Sequence, residues 1–356
     1  MDRSVLSTDK RILLLSAYRS DSHAAWVTWL TQHLDADWRV LELPGRYFRW
    51  RIRGNPLSWR EELTELLADW KPDHILATSM VDVATLRGLL PALASVPLTY
   101  YFHENQFSYP VGKEQHSSVD PQMVQLYGAL AADRCLFNSQ YNLNSFVSGV
   151  DDLLKKLPDC RPESLRQELE DKSSLLPVPV DGVGSGVKTQ GLIVWNHRWE
   201  YDKRPDLFLA ILQKLRLQGV PFSLALLGPR PAKIPAALED IRAQFHDVIV
   251  ADGRVSRAEY CDLLRRAQVV ISCADHEFQG LSMIEAVSAG CIPVAPDALC
   301  YREQYPSECR YKVHDTDSAV ERIRLAFDEQ LPSPEIRSWL SEATAERWQQ
   351  WLKDDV

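Results

Sequence analysis

Two glutamates bracket a glycine in His276-Glu277-Phe278-Gln279-Gly280-Leu281-Ser282-Met283-Ile284-Glu285. The spacing suits phosphate and sugar chemistry. Gly280 is placed to open a helix that runs to Gly290, a glycine fit to end it. A helix start aims backbone N–H groups, here those of Gly280, Leu281 and Ser282, outward as an anion site suited to a diphosphate. A glutamate before that start reaches sugar hydroxyls, and one a turn inside accepts hydrogen bonds from a ribose diol. Read blandly, the same string is a strand, a loop and a helix with two solvated acids.

A second string, Trp195-Asn196-His197-Arg198-Trp199-Glu200-Tyr201-Asp202-Lys203, sets two cations after an apolar strand. Arg198 and Lys203 suit the charge that gathers on a departing nucleoside diphosphate when no metal neutralises it. A third, Tyr101-Phe102-His103-Glu104-Asn105-Gln106, puts four hydrogen-bonding residues just past another apolar strand. Both strings fall at the carboxyl ends of strands, where open α/β sheets take ligands.

Several chemistries are set aside. The turn after the first strand, Ser20-Asp21-Ser22-His23, has no G-x-G-x-x-G, and the chain has no G-x-x-x-x-G-K-[ST]. His103-Glu104 lacks the second histidine of a zincin helix, since position 107 is Phe. Asp35, Asp37, Asp315 and Asp317 form two D-x-D pairs outside the ligand-facing turns and read as solvated acids, so no metal ligands are expected.

Residues 46–60, RYFRWRIRGNPLSWR, interleave five arginines (Arg46, Arg49, Arg51, Arg53, Arg60) with Tyr47, Phe48, Trp50 and Trp59. Guanidinium and aromatic planes fit phosphates and unstacked RNA bases. They also fit an anionic lipid surface, or a plain basic loop over a few buried rings. The residues alone leave the three open.

The elements that must carry these strings follow from periodicity. Short apolar runs alternate with amphipathic helices, the pattern of a parallel α/β sheet. Strands are expected at Ile12 to Ala17, Arg39 to Leu43, His74 to Thr78, Leu98 to Phe102 and Cys135 to Asn138. After a Pro- and Gly-bearing stretch at 177–190, the rhythm resumes at Leu192 to Trp195, Phe222 to Leu227, Val248 to Val250, Val269 to Ser272 and Ile292 to Ala295. Ser58 with Glu61, and Ser256 with Glu259, fit capping boxes that would open helices. The tail from Ser333 to Val356 reads as a helix with Trp339, Trp348 and Leu352 on one face.

At 356 residues the chain is long enough for two domains of about 150 residues each. A net charge of −9 requires any anionic partner to be held by a local basic patch. Seven scattered cysteines without a C-x-x-C pair argue against a disulfide framework or a zinc site, and for a reducing compartment. The first ten residues lack an apolar signal core, and no apolar run approaches a membrane span. The expectation is a cytoplasmic protein without stable membrane association. Most of the eleven tryptophans are expected in the core.

Taken together, these strings resemble the retaining GT-B glycosyltransferases of the family 4 type. The segments 98–110 (LTYYFHENQFSYP), 136–139 (LFNS), 195–203 and 276–285 are most similar to the tRNA-queuosine alpha-mannosyltransferase group within it. The resemblance implies two Rossmann-like domains facing across a cleft. Residues 1–187 would bind acceptor and 188–335 the nucleotide sugar, and a helix at 336–356 would cross back onto the first domain. It implies mannose transfer from GDP-mannose, with retention and no metal or cofactor, to the cyclopentenediol of queuosine in a tRNA, with tRNA-Asp the expected species. Arg198 and Lys203 would bind the diphosphate, Glu277 the transferred sugar and Glu285 the donor ribose. His103 would sit beside the reacting sugar. Gly280, Leu281 and Ser282 complete the expected donor set. Ser22, His23, Arg49, Arg51, Arg53, Glu104, Asn105, Gln106 and Asn138 are the expected acceptor contacts. The first turn lacks the glycines usual in that group. Two other readings stand beside this one: the same fold acting on a lipid or polysaccharide, and a non-catalytic module that binds nucleotide sugar or RNA.

Overall fold

The computed structural model describes residues 10–109, 118–230 and 234–354. Pro110 of the segment 98–110 and the first nine residues lie outside that set. The chain divides into two compact units, one of residues 1–179 and 344–356, the other of 180–343.

The first unit is built on β1 (Arg11–Arg19), α1 (Asp21–His33), β2 (Asp37–Pro44), α2 (Phe48–Asp69), β3 (His74–Thr78), α3 (Val83–Leu89) and β4 (Leu98–Phe102). It continues through α4 (Asp120–Ala131), β5 (Arg134–Phe137), α5 (Gln140–Leu154), α6 (Leu165–Asp171) and β6 (Ser173–Leu175). All strands are parallel, in the order β2-β1-β3-β4-β5-β6. The strands β1, β3 and β4 bury nearly every residue because helices cover both faces, which is why they read as mostly apolar runs rather than as alternating ones. The direction of winding changes between β1 and β3.

The second unit runs β7 (Leu192–Trp195), α7 (Pro205–Leu217), β8 (Ser223–Leu226), α8 (Ala236–Phe245), β9 (Ile249–Asp252) and α9 (Arg257–Arg266). β10 (Val269–Ile271), α10 (Leu281–Ser288), β11 (Ile292–Pro296), α11 (Tyr301–Gln304), β12 (Arg310–Tyr311) and α12 (Thr316–Phe327) follow. Its parallel strands lie in the order β12-β11-β10-β7-β8-β9. This is the doubly wound order of a Rossmann sheet, with its switch point between β7 and β10. The turns that follow those two strands hold Arg198 and Glu277, so the topology alone brings both strings to one crevice.

The last helix, α13 (Ser341–Asp354), docks on the first sheet's core. Trp348 Nε1 donates to the Pro177 carbonyl at 3.0 Å, and Trp351 Nε1 to Thr99 Oγ1 at 3.2 Å. Residues 333–336 are not helical, and Trp339 sits in a short 3-10 turn, so the helix begins later than its periodicity suggested. Nine of the eleven tryptophans are buried, as their size favours.

Two further readings need correction. The helix placed near Ser58 starts ten residues earlier, and Ser58 is mid-helix, its Oγ donating to the Gly54 carbonyl at 3.1 Å. Pro56 inside the helix leaves the Ile52 carbonyl without its helical donor. Asn55 Nδ2 supplies one at 3.3 Å, and also reaches the carbonyls of Arg51 at 2.7 Å and Met80 at 3.1 Å. The edge strands β6 and β12 went unpredicted because each is only two or three residues long.

Candidate active site

Gly280 caps α10 at φ +67°, in the left-handed region. Helix geometry leaves the N–H groups of Leu281, Ser282 and Met283 without an intrahelical acceptor. Glu277 stands just before that start. Its Oε2 lies 3.1 Å from Lys203 Nζ, and its Oε1 accepts from its neighbour's N–H, that of Phe278, at 3.2 Å.

Lys203 is buried at 6% exposure. Its ammonium donates to the His276 carbonyl at 2.6 Å and lies 3.3 Å from Asp202 Oδ2. Burial alone would discharge it, but Glu277 and Asp202 outweigh that and push its pKa up. Burial works against the charge on Glu277 as well. Lys203 overcomes it and holds the carboxyl down to about 2. Lys203 was expected on the diphosphate; in the structure its partners are protein groups, and what it charges and aims is Glu277. Arg198 is different. Its side chain is 52% exposed and meets Glu200 Oε1 at 3.2 Å, so it remains accessible to an anion.

Glu285, one turn inside α10, is held from two sides. Arg257 Nη1 donates to Oε1 at 2.7 Å and the Tyr260 hydroxyl to Oε2 at 2.8 Å. Asn196 Nδ2 ties the group together, donating to Tyr260 Oη at 3.1 Å and to the Ser282 carbonyl at 2.7 Å. His197 lies within 3.2 Å of the Ile271 carbonyl through Nε2 and 3.4 Å of Ser282 Oγ through Nδ1. Burial drives His197 and His276 down to about 4, so both are neutral at pH 7. The loop carrying Arg198 is packed on Gly228: a Cβ there would come within 2.3 Å of the His197 carbonyl oxygen.

In the first unit, the ring of His103 sits 4.1 Å from that of His23, 4.6 Å from Trp26 and 4.7 Å from Tyr101. Its Nε2 is buried without a hydrogen-bond partner among the described residues. Burial, aided by His23, keeps His103 neutral well below its usual range. Ser20, the cap of α1, reaches His23 Nδ1 at 2.6 Å and Ser22 Oγ at 3.1 Å. His23 is itself held down to about 4 by burial.

The remaining acceptor candidates divide. Asn105 is fully buried and donates to Asn142 Oδ1 and Ser145 Oγ, both at 2.9 Å. Asn138, equally buried, donates to the His103 carbonyl at 2.8 Å. Both hold the His103 turn in shape rather than face outward. Glu104 and Gln106 are half-buried; the Glu104 carbonyl accepts from Ser79 Oγ, and the Gln106 N–H donates to Gln125. Arg49 is exposed at the start of α2, Arg51 is half-buried, and Arg53 pairs with Asp82 at 2.7 Å. The solvated acids found ordinary uses: Asp315 caps α12, Asp317 pairs with Lys214, and Asp37 accepts from Trp70.

Sequence reasoning missed Tyr260 and Arg257, because the Ser256–Glu259 cap of α9 reveals the helix and not the face it turns to Glu285. It also missed Asn196 and His197, although both stand inside the quoted string.

The two wound sheets, with a phosphate-ready helix start beside a charged lysine–glutamate pair, define a GT-B glycosyltransferase. Solved structures agree on the fold. The lipopolysaccharide outer core galactosyltransferase WaaB in its apo form is 10% identical with a TM-score of 0.67, over 97% of this chain and 100% of that one. Sucrose-phosphate synthase from Thermosynechococcus elongatus is 14% identical with a TM-score of 0.68, over 97% and 96%. The catalytic domain of starch synthase IV from Arabidopsis thaliana, bound to ADP and acarbose, is 13% identical with a TM-score of 0.64, over 97% of each. Residues 11–180 match the family model described as tRNA-queuosine alpha-mannosyltransferase N-terminal. The tRNA-queuosine alpha-mannosyltransferase of Drosophila melanogaster is 33% identical over 319 residues, 84% of this chain and 83% of the relative. The chain belongs to the tRNA-queuosine alpha-mannosyltransferase family. No helix among the described residues is long and apolar enough to cross a membrane.

Proposed function

We propose that this glycosyltransferase moves mannose from GDP-mannose, with retention, to the cyclopentenediol of queuosine in a cytoplasmic tRNA. The observation that carries the reading is the crevice between β7 and β10, where Arg198, the Glu277–Lys203 pair and the α10 start converge. There the pyrophosphate meets an exposed guanidinium and a helix dipole as its charge grows. Glu277, ionised and fixed by Lys203, accepts hydrogen bonds from the sugar hydroxyls. Glu285 accepts from the donor ribose. His103, neutral and buried on three sides, offers hydrogen-bonding nitrogens rather than charge to the sugar. The departing phosphate oxygen takes the acceptor hydroxyl's proton, so the step runs from one face without a protein nucleophile. No cofactor beyond the donor and no metal enters this scheme.

The relative from Drosophila melanogaster favours queuosine-tRNA as acceptor over a lipid or polysaccharide. The test is to incubate the protein with queuosine-containing tRNA and a panel of nucleotide sugars, then weigh the released nucleosides. A gain of one hexose with GDP-mannose supports the reading. Transfer from another nucleotide sugar, transfer to lipid alone, or strict dependence on an EDTA-chelated metal would each contradict it.

A further inference from the structure

The start of α2 carries a feature the transfer chemistry does not use. Trp50 is 59% exposed and Tyr47, just before the helix, is 70% exposed, whereas nine other tryptophans are buried. Trp50 is held rather than loose. Its indole lies against Gly54, where an added Cβ would meet Cε2 at 2.8 Å and Nε1 at 3.0 Å. One ring face is therefore seated on the helix and the other left open.

The surroundings of that ring are basic. Arg49 and Arg53 stand four residues apart, and Trp50 lies three from Arg53, so the three side chains are neighbours on the helix. The Arg46 guanidinium lies 5.4 Å from the Tyr47 ring. Among the described residues no acid pairs with Arg46 or Arg49, and both are exposed. The patch is also anchored near the proposed acceptor groups. Phe48 meets Tyr18 at 6.2 Å, and Arg53 and Asn55 reach Asp82 and Met80 just past β3. It therefore lies at the carboxyl ends of β1 and β3, as does the turn bearing His23.

We infer that Trp50 is a stacking platform for an unpaired nucleobase of an RNA loop, with Arg46, Arg49 and Arg53 on the adjoining phosphates. An aromatic ring with one free face among guanidinium groups is the recurring reader of single-stranded nucleic acid. A lipid surface fits less well. Of the apolar side chains of α2, Ile52, Trp59 and Leu63 are buried in the first unit's core, and the large hydrophobics that stand exposed are Trp50 and Leu57, two residues among arginines rather than a continuous face to insert. Its second half carries Glu61, Glu62 and Glu65. The inference deepens the proposed tRNA reading by naming how the loop is gripped.

The experiment measures binding of an anticodon stem-loop hairpin by fluorescence anisotropy across salt concentrations, beside an RNA duplex without a loop. Trp50→Ala is expected to weaken hairpin binding about tenfold or more without changing the salt slope. Trp50→Phe should retain most of the affinity. Gly54→Ala, which displaces the ring without removing it, should weaken hairpin binding in the same direction. Arg49→Ala should weaken binding and reduce the slope by about one. Equal hairpin affinity for wild type and Trp50→Ala overturns the inference. So does an equal loss on the duplex, the absence of hairpin binding by the wild type, or Trp50-dependent binding to phosphatidylserine vesicles in place of RNA. Sugar transfer by the wild type to queuosine-tRNA is scored separately. Transfer with Trp50 indifferent removes the platform and keeps the activity; Trp50-dependent hairpin binding without transfer does the reverse.

Discussion

The ammonium of Lys203 and the carboxylate of Glu277 form a buried pair, 3.1 Å from Nζ to Oε2, and each owes its charge to the other. Arg198, five residues before Lys203, is exposed, pairs with Glu200 at 3.2 Å and acts on Lys203 through charge. The proposed scheme therefore gives the two cations separable tasks, Lys203 aiming a carboxylate and Arg198 meeting a phosphate.

Deleting them should give different phenotypes. Lys203→Met leaves Asp202 and Glu277 in a buried site without their cation, and should cost about 3–5 kcal/mol of folding stability as well as activity. Arg198→Ala removes a surface pair worth about 1 kcal/mol or less, so its melting temperature should hardly move. It should still lose on the order of 2–4 kcal/mol of transition-state stabilisation, seen as a fall in kcat/KM for the nucleotide sugar. Equal melting temperatures for the two variants would show that Lys203 is not a structural cation.

Acid should weaken the fold in two windows. His23, His74, His197 and His276 fold neutral with pKa values of about 4 against 6.5 unfolded. Between those values the unfolded chain binds more protons, so stability is full above pH 6.5 and falls as pH drops to about 4. The slope is at most about 1.4 kcal/mol per pH unit for each histidine. Glu277 acts lower. Its depressed pKa gives stability that is present above 4.5 and lost as pH falls to about 2. Urea midpoints from pH 7.5 to 3 check both; a flat midpoint between pH 6.5 and 4.5 would refute the histidine contribution.

Why some of this was legible beforehand is visible in particular residues. Leu98–Phe102 and Leu192–Trp195 are aliphatic or aromatic apart from Thr99, because strands covered on both faces bury every side chain, and their bounds were read without error. The start of α10 at Gly280, with Glu277 just before it, was legible for a related reason: a helix start needs few residue types. The start of α2 was hidden because Pro56 argues against a helix, and Asn55, which supplies the Ile52 carbonyl with a donor, is itself held by a tertiary contact with the Met80 carbonyl that no local pattern encodes. The exposure of Trp50 and the burial of Asn105 were hidden likewise. Which face of an element is covered depends on what the rest of the chain brings to it.

Gly228 should tolerate no side chain. Its φ is +95°, and an added Cβ would collide with the His197 carbonyl oxygen, forcing the turn after β8 away from the β7 turn that carries Arg198. Gly228→Ala should destabilise the second unit by about 1–3 kcal/mol and raise KM for the nucleotide sugar. Nucleotide affinity by calorimetry, with thermal melts, checks both. An unchanged affinity would mean that the β7 turn can shift without cost to the site.

Tyr260 offers the cleanest test of how Glu285 is held. Its hydroxyl donates to Glu285 Oε2 at 2.8 Å and accepts from Asn196 Nδ2 at 3.1 Å, so Phe removes one oxygen and two hydrogen bonds with little change of shape. The hydroxyl is largely buried, and burial followed by Glu285 pushes its pKa up, so it remains a donor at every working pH. Glu285 would keep Arg257 as its second partner, and folding stability should fall by only about 1 kcal/mol. The carboxylate would then be free to turn toward Arg257, and donor binding should weaken by about 1–2 kcal/mol. Because the change lies in the second unit and the groups proposed for the acceptor belong to the first, KM for tRNA should stay constant while KM for the nucleotide sugar rises about tenfold. A rise in the tRNA KM instead, or no change in either, would remove Glu285 from the donor ribose and leave it a structural acid between two helices.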